Sequence, residues 1–173
     1  MVGMMGAGKT AIGQALARRL EVPFLDSDAE IVAAANASIA EIFEGYGEAF
    51  FRDKEAKVIA RLLAGPAGVL STGGGAYLSD KNRALISEAG VAVWLKADLD
   101  LLWARVRHKD TRPLLRTDDP YATLKEIYEA RTPLYAQADV VVAAQPGYSI
   151  GDMTDRVIDA LSARPDVLAL ETT

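Results

Sequence analysis

The chain has 173 residues, half of them hydrophobic and a quarter charged, with a net charge of −5, no cysteine and one histidine. That composition fits a single globular domain and excludes disulfides, thiolate metal sites, and any metal site or catalytic triad built on several histidines. No apolar run approaches the roughly 18 residues that cross a bilayer, and the acidic balance leaves no electrostatic footprint for nucleic acid; together with the missing cysteines and the lack of a leader pattern, this predicts a cytoplasmic monomer that binds neither membrane nor nucleic acid.

Gly3-Met4-Met5-Gly6-Ala7-Gly8-Lys9-Thr10 fits the phosphate-binding pattern GxxxxGK followed by Ser or Thr at every defined position. Its glycines let backbone N–H groups converge on a polyphosphate, Lys9 reaches the β- and γ-phosphates, and the Thr10 hydroxyl is placed to ligate Mg²⁺. Residues 11–20 read as a helix whose dipole faces the same anion. The motif predicts that ATP or GTP is bound. Only Met1 and Val2 precede Gly3, so the first strand is expected as a stub, either short in itself or the end of a longer one.

Val22-Pro23-Phe24-Leu25 then reads as a strand, with helical segments through about Ala64. Residues 68–71 form the next strand, followed by a helix near 80–88, a strand at 91–95 and a helix at about 98–107. A polar stretch leads to a helix over Tyr121–Tyr135, a strand at 139–143 and a last helix at 151–161; the tail from 164 to 173 is expected to fray. Short apolar strands alternating with helices predict an α/β domain over residues 1–163, its parallel sheet of about five strands covered on both faces. In such sheets ligands gather at the C-terminal ends of the strands.

The candidate chemistry lies there. Asp26 and Asp28 follow the second strand two residues apart, which in extended backbone places both carboxylates on one side. Either one merely caps the next helix, or one serves Mg²⁺ through a water while the other accepts a hydrogen bond from a substrate hydroxyl. Arg52, flanked by Phe50 and Phe51 and with Glu55 three residues on, reads either as a solvated helical arginine or as a bidentate carboxylate grip. Gly73, Gly74 and Gly75 form a tight strand-to-helix turn or bring backbone N–H groups close to a substrate. Residues 108–120 are polar and bounded by prolines, either a solvated connection or a mobile lid that delivers Arg112 to the transferring phosphoryl group. Arg131 adds another arginine near a helix end, and His108 reads as an exposed loop residue.

Taken in order from Gly3 to about Tyr135, the segments GMMGAGKT, FLDSD, Ile42-Phe43 through FFRDKE, STGGGAYL, RPLL and ARTPLY resemble the shikimate kinase family, small P-loop kinases of the nucleoside monophosphate kinase-like class. The resemblance implies a three-layer α/β/α fold with a lid, and transfer of the ATP γ-phosphoryl group to the 3-hydroxyl of shikimate in aromatic amino-acid biosynthesis. It assigns Gly6, Ala7, Gly8, Lys9 and Thr10 to ATP and Mg²⁺, with Asp26 helping through water. Asp28, Arg52, Gly73, Gly74, Gly75 and Arg131 would hold shikimate, the two arginines on its carboxylate and Asp28 at its hydroxyls. Arg112 would reach the phosphates from the lid, while Arg107 and the loop around Pro146 would flank adenine. Two rivals remain open at this stage. Another small-metabolite kinase, such as a gluconate kinase, would keep the anionic-polyol features, and a nucleotide-binding homologue without activity would keep the loop. A GTPase reading lacks its guanine-specifying Asn-Lys-x-Asp segment.

Overall fold

The structure is a computed structural model that describes residues 1–109 and 113–168. Its elements run α1 (Lys9–Arg19), β1 (Phe24–Asp26), α2 (Ser27–Ala35), α3 (Ile39–Leu63), β2 (Val69–Ser71), a 3₁₀ turn (Ala76–Leu78), α4 (Asp80–Ala89), β3 (Val93–Lys96), α5 (Leu99–Val106), a second 3₁₀ turn (Pro113–Leu115), α6 (Pro120–Tyr135), β4 (Val140–Ala143) and α7 (Ile150–Ser162).

All strand pairing is parallel, as expected of strands joined by helical crossovers. β1 pairs with β2, Leu25 opposite Leu70, and β3 pairs with β4, Trp94 opposite Val141. The expected first strand is present as a bridge between these two pairs. Val2 donates its N–H to the Val93 carbonyl at 2.9 Å and accepts from Leu95 at 3.1 Å, while the Met1 carbonyl accepts from the Thr72 N–H at 3.2 Å. The Thr72 hydroxyl also donates to that carbonyl. Two residues form a bridge but not a ladder, so the expected five strands are four among the described residues plus this junction.

The main core gathers on this junction. Val2, Leu95, Leu102, Leu124, Tyr135 and Val157 are essentially sealed from solvent within it. α7 packs on α1 and β4, and α6 on α5 and the first 3₁₀ turn. A second, smaller cluster of Ile31, Ile42 and Phe51 holds α2 against α3. α3 opens with a capping box, Ser38 and Glu41 satisfying each other's backbone N–H groups. It breaks at Gly47, whose φ of 81° and ψ of 171° are non-helical, so 39–46 and 48–63 are two helical pieces.

Beyond α7 the chain continues as a turn, Val167 and Leu168 both donating to the Arg164 carbonyl, and Leu168 packs on the main core. Residues 169–173 of the expected tail lie outside the described residues. Among the described residues no helix is long and apolar enough to cross a membrane.

Candidate active site

The loop before α1 takes the shape its glycines permit. Gly6 and Gly8 have φ of 80° and 94°, conformations that side chains rarely adopt, and a β-carbon on Gly6 would stand 2.7 Å from Val106 Cγ1. Gly8 is the N-cap of α1 and supplies no side-chain cap, so the first N–H groups of the helix are left for an anion. The Lys9 ammonium curls over the loop and donates to the carbonyls of Gly3 and Met4 at 2.8 and 2.9 Å.

The Asp26–Asp28 corner meets both readings of its sequence at once. Asp26 ends β1 and caps α2, its Oδ1 accepting from the N–H groups of Asp28 and Ala29 at 3.0 and 3.1 Å. Its Oδ2 faces the Thr10 hydroxyl, which donates to it at 3.4 Å. The route by which the carboxylates meet differs from the expected one. Asp28 is already in the first turn of α2 and not in extended backbone, so a strand-to-helix corner, not strand alternation, brings both to the cleft. Burial pushes the Asp28 carboxyl above the usual carboxylate range, and neighbouring Asp26 adds to this; Lys9 and Arg52 pull the other way.

The three glycines after β2 are walled by three charged side chains. A β-carbon on Gly73 would lie 2.7 Å from Asp28 Oδ1, one on Gly74 would lie 3.3 Å from Arg131 Nη1, and one on Gly75 would collide with the Arg52 guanidinium. A side chain at Gly73 or Gly75 would displace the acid or Arg52, and one at Gly74 would press on Arg131. Arg52 is held in turn by Glu55, whose carboxylate is 1% exposed and accepts from Arg52 Nη1 at 2.7 Å. Glu48 adds a looser contact to Nε at 3.5 Å. Burial raises the Glu55 pKa and the Arg52 hydrogen bond opposes the rise. Of the two flanking phenylalanines only Phe51 meets Arg52, its ring centre 5.2 Å from the guanidinium carbon; Phe50 is exposed and stacks on Tyr46.

A cavity of about 530 Å³ opens over the loop. Gly6, Gly8, Lys9, Thr10, Asp26, Asp28, Gly73 and Gly74 stand on its wall, all of them expected site residues. Ala7 is buried beneath the loop. Gly75, Arg52 and Arg131 do not line this cavity and join it through the glycine turn. Arg112 lies outside the described residues, as do 110 and 111 of the expected lid; Lys109 is on the cavity wall, His108 is exposed, and Leu115 is anchored in the core.

Two of the residues expected at the nucleotide stand off the cavity wall. Arg107 is the exposed C-cap residue of α5 and does not line the cavity; Arg105 does, donating from Nη1 to the Gly6 and Ala7 carbonyls at 3.1 and 3.5 Å. At about 100° per residue, positions 105 and 107 point to nearly opposite sides of a helix, so only one can face the loop. Pro146 is likewise exposed and off the wall, whereas Tyr148 lines it, its ring stacked on the Arg156 guanidinium at 4.2 Å. The signal for Arg105 was present in the sequence: it stands three residues after buried Leu102, at the edge of the apolar face of α5.

Comparison with known proteins shows the family. A family model described as shikimate kinase matches residues 5–162. A shikimate kinase of Ruegeria pomeroyi is 69% identical over 170 residues, which cover 98% of this chain and 87% of that one. One of Cereibacter sphaeroides is 64% identical, covering 97% of this chain and 84% of that one. Among solved structures, a shikimate kinase from Acinetobacter baumannii in complex with shikimate matches with a TM-score of 0.84 and 37% identity, over 94% of this chain and 89% of that one. The loop from Gly6 to Thr10, the acid, the glycine turn and the arginines all fall within residues 5–162, and the chain belongs to the shikimate kinase family.

Proposed function

We propose that this chain transfers the γ-phosphoryl group of ATP to the 3-hydroxyl of shikimate, giving ADP and shikimate 3-phosphate, with the donor held by the loop before α1 and the acceptor held on the glycine turn. The observation that carries this reading is the seating of Asp28, Arg131 and Arg52 on three successive glycines beside a phosphate-binding loop. An acid next to two cations suits an acceptor that carries a hydroxyl and a carboxylate. A nucleoside monophosphate acceptor has no need of the acid.

In this division of roles Lys9 and the α1 N-terminus neutralise the phosphates, and Arg112 joins them from the segment between α5 and α6. Arg52 and Arg131 grip the carboxylate, and Asp28 takes the hydroxyl proton as the new O–P bond forms and the bond from the γ-phosphorus to the bridging oxygen breaks. Phosphoryl transfer has a loose transition state, so positioning and charge account for most of the rate, and a placed base adds about 10²–10⁴-fold. The raised pKa of Asp28 brings it nearer to that of the proton it receives. Arg105 and Tyr148 flank the part of the cavity left for the nucleoside.

Mg²⁺ fits the donor set. Thr10 and Asp26 present hard oxygens to one point of the cleft, and no group of three or more His, Cys, Asp or Glu that could hold a metal exists among the described residues. That suits an ion that keeps waters and binds mainly through substrate phosphates. When bound it would neutralise charge on the phosphates, with Thr10 as direct ligand and Asp26 acting through water. One chain carries every group named, which supports a monomer. The absence of cysteine from the chain supports the cytoplasm.

The test is ADP release from Mg-ATP with shikimate, gluconate and nucleoside monophosphates in parallel. Turnover with shikimate alone is expected; equal turnover with gluconate would overturn the acceptor assignment.

A further inference from the structure

We propose that Tyr135 is a positioning residue for the acceptor site, its hydroxyl fixing the glycine turn on which Asp28, Arg131 and Arg52 are seated. The inference rests on the shikimate reading above.

The carbonyls of the three glycines are satisfied in two different ways. Those of Gly73 and Gly75 accept from the N–H groups of Ala76 and Leu78, both at 3.2 Å and both within the turn itself. The Gly74 carbonyl instead accepts from the hydroxyl of Tyr135, at the far end of α6 and 61 residues away in sequence. The outer bonds therefore shape the turn, while the Tyr135 bond sets where the turn sits relative to the rest of the molecule.

Gly74 is also where the two halves of the site meet. A β-carbon there would stand 3.3 Å from Arg131 Nη1 and 3.8 Å from both the Tyr135 hydroxyl and the Gly3 carbonyl. That Gly3 carbonyl is one of the two that Lys9 donates to. Arg131 and Tyr135 are four residues apart on α6, so one helix face delivers both the proposed carboxylate grip and the tether. Pro133, in the last turn of α6, lacks the N–H that would close on the Glu129 carbonyl.

Tyr135 is suited to a fixed donor. It is 0% exposed, and its ring lies 6.1 Å from that of Trp94. Burial raises its pKa, opposed by the charge of Arg131, by the hydrogen bond of Arg131 to the hydroxyl and by the charge of Arg52, so the phenol keeps its proton at neutral pH. Without the hydroxyl the Gly74 carbonyl loses its partner and the turn is free to shift under Asp28 and Arg52.

Tyr135→Phe tests this with little change in packing. Steady-state kinetics should show the shikimate KM raised about tenfold, the scale of one lost hydrogen bond, with the ATP KM within about twofold of the parent. Trp94→Phe disturbs the same packing without touching the hydroxyl and should leave the shikimate KM unchanged. A merely structural Tyr135 would instead lower the melting temperature and the active fraction while leaving the shikimate KM where it was, and that result overturns the proposal. If Tyr135→Phe is too unstable to assay, the shikimate Kd of its folded fraction, measured by calorimetry in the cold, replaces KM, and an unchanged Kd overturns it equally. Failure of the parent enzyme to turn over shikimate would refute the functional reading itself, an outcome read before any variant is made.

Discussion

Asp28 lies against Gly73 so closely that a β-carbon at position 73 would stand 2.7 Å from Oδ1 of the acid. The turn and the acid are shaped to each other, and the contact is with the end of a side chain that can rotate. Gly73→Ala is therefore expected to be relieved by swinging the carboxylate away, at little cost in stability. kcat should fall about 10²-fold, the scale of a base displaced by roughly 1 Å, with the ATP KM nearly unchanged. Parallel melting and kinetic measurements check this, and a coupled loss of stability and rate would count against it.

Asp28→Asn removes the proposed proton acceptor but keeps the shape. Turnover should drop by about 10²–10⁴-fold, while calorimetry shows ATP still bound. The linkage to stability has a definite sign. A carboxyl whose folded pKa is raised stabilises below its unfolded pKa and loses that contribution as pH rises through the folded value. The variant should thus melt higher than the parent at pH 8, with the gap closing as pH falls into the ordinary carboxylate range. A variant that melts lower at pH 8 would show that burial does not dominate at this acid.

Arg52, paired with Glu55, is the proposed carboxylate grip. Arg52→Ala should weaken shikimate much more than ATP, and it leaves the buried Glu55 carboxylate without its cation, at a cost of about 1–3 kcal/mol in stability. Adding Glu55→Gln should recover stability without recovering the shikimate KM. Denaturant melts of the single and double variants separate the two effects, and recovery of both by the second substitution would refute the carboxylate grip.

Arg105 and Arg107 differ by two positions and should differ in function. Arg105→Ala removes the straps to the Gly6 and Ala7 carbonyls and is expected to raise the ATP KM about tenfold, the scale of one or two net hydrogen bonds. Arg107→Ala should change it by less than twofold. Equal effects would return the nucleotide contact to Arg107.

The local parts of this protein were legible in its sequence. Apolar runs bounded by turns located β1 to β4 within a residue or two, and the loop before α1 follows from glycine and lysine spacing alone. What remained closed were the meetings of distant segments. The three glycines marked a close approach, but nothing local says that residues 28, 131 and 52 are what approaches, since each arrives on a different helix. The Asp26–Asp28 pair was found for an incomplete reason, because its cap and its turn into α2 are made in one step. The expectation at Arg107 rested on the register of a short helix, and the packing of α5 against Gly6 through Val106 turns Arg105 toward the loop.

The bridge at Val2 ties the integrity of the sheet to the occupancy of the nucleotide site. Residues 1 and 2 splice the β1–β2 pair to the β3–β4 pair, and the same backbone runs on directly into the phosphate loop. A ligand that binds only the folded loop adds its binding free energy to that splice. The amides of Val2, Thr72 and Leu95 should accordingly exchange hydrogen more slowly when nucleotide is present, and the floor beneath shikimate becomes stiffer before shikimate arrives. The donor is thus expected not only to supply the phosphoryl group but also to firm the platform that receives it.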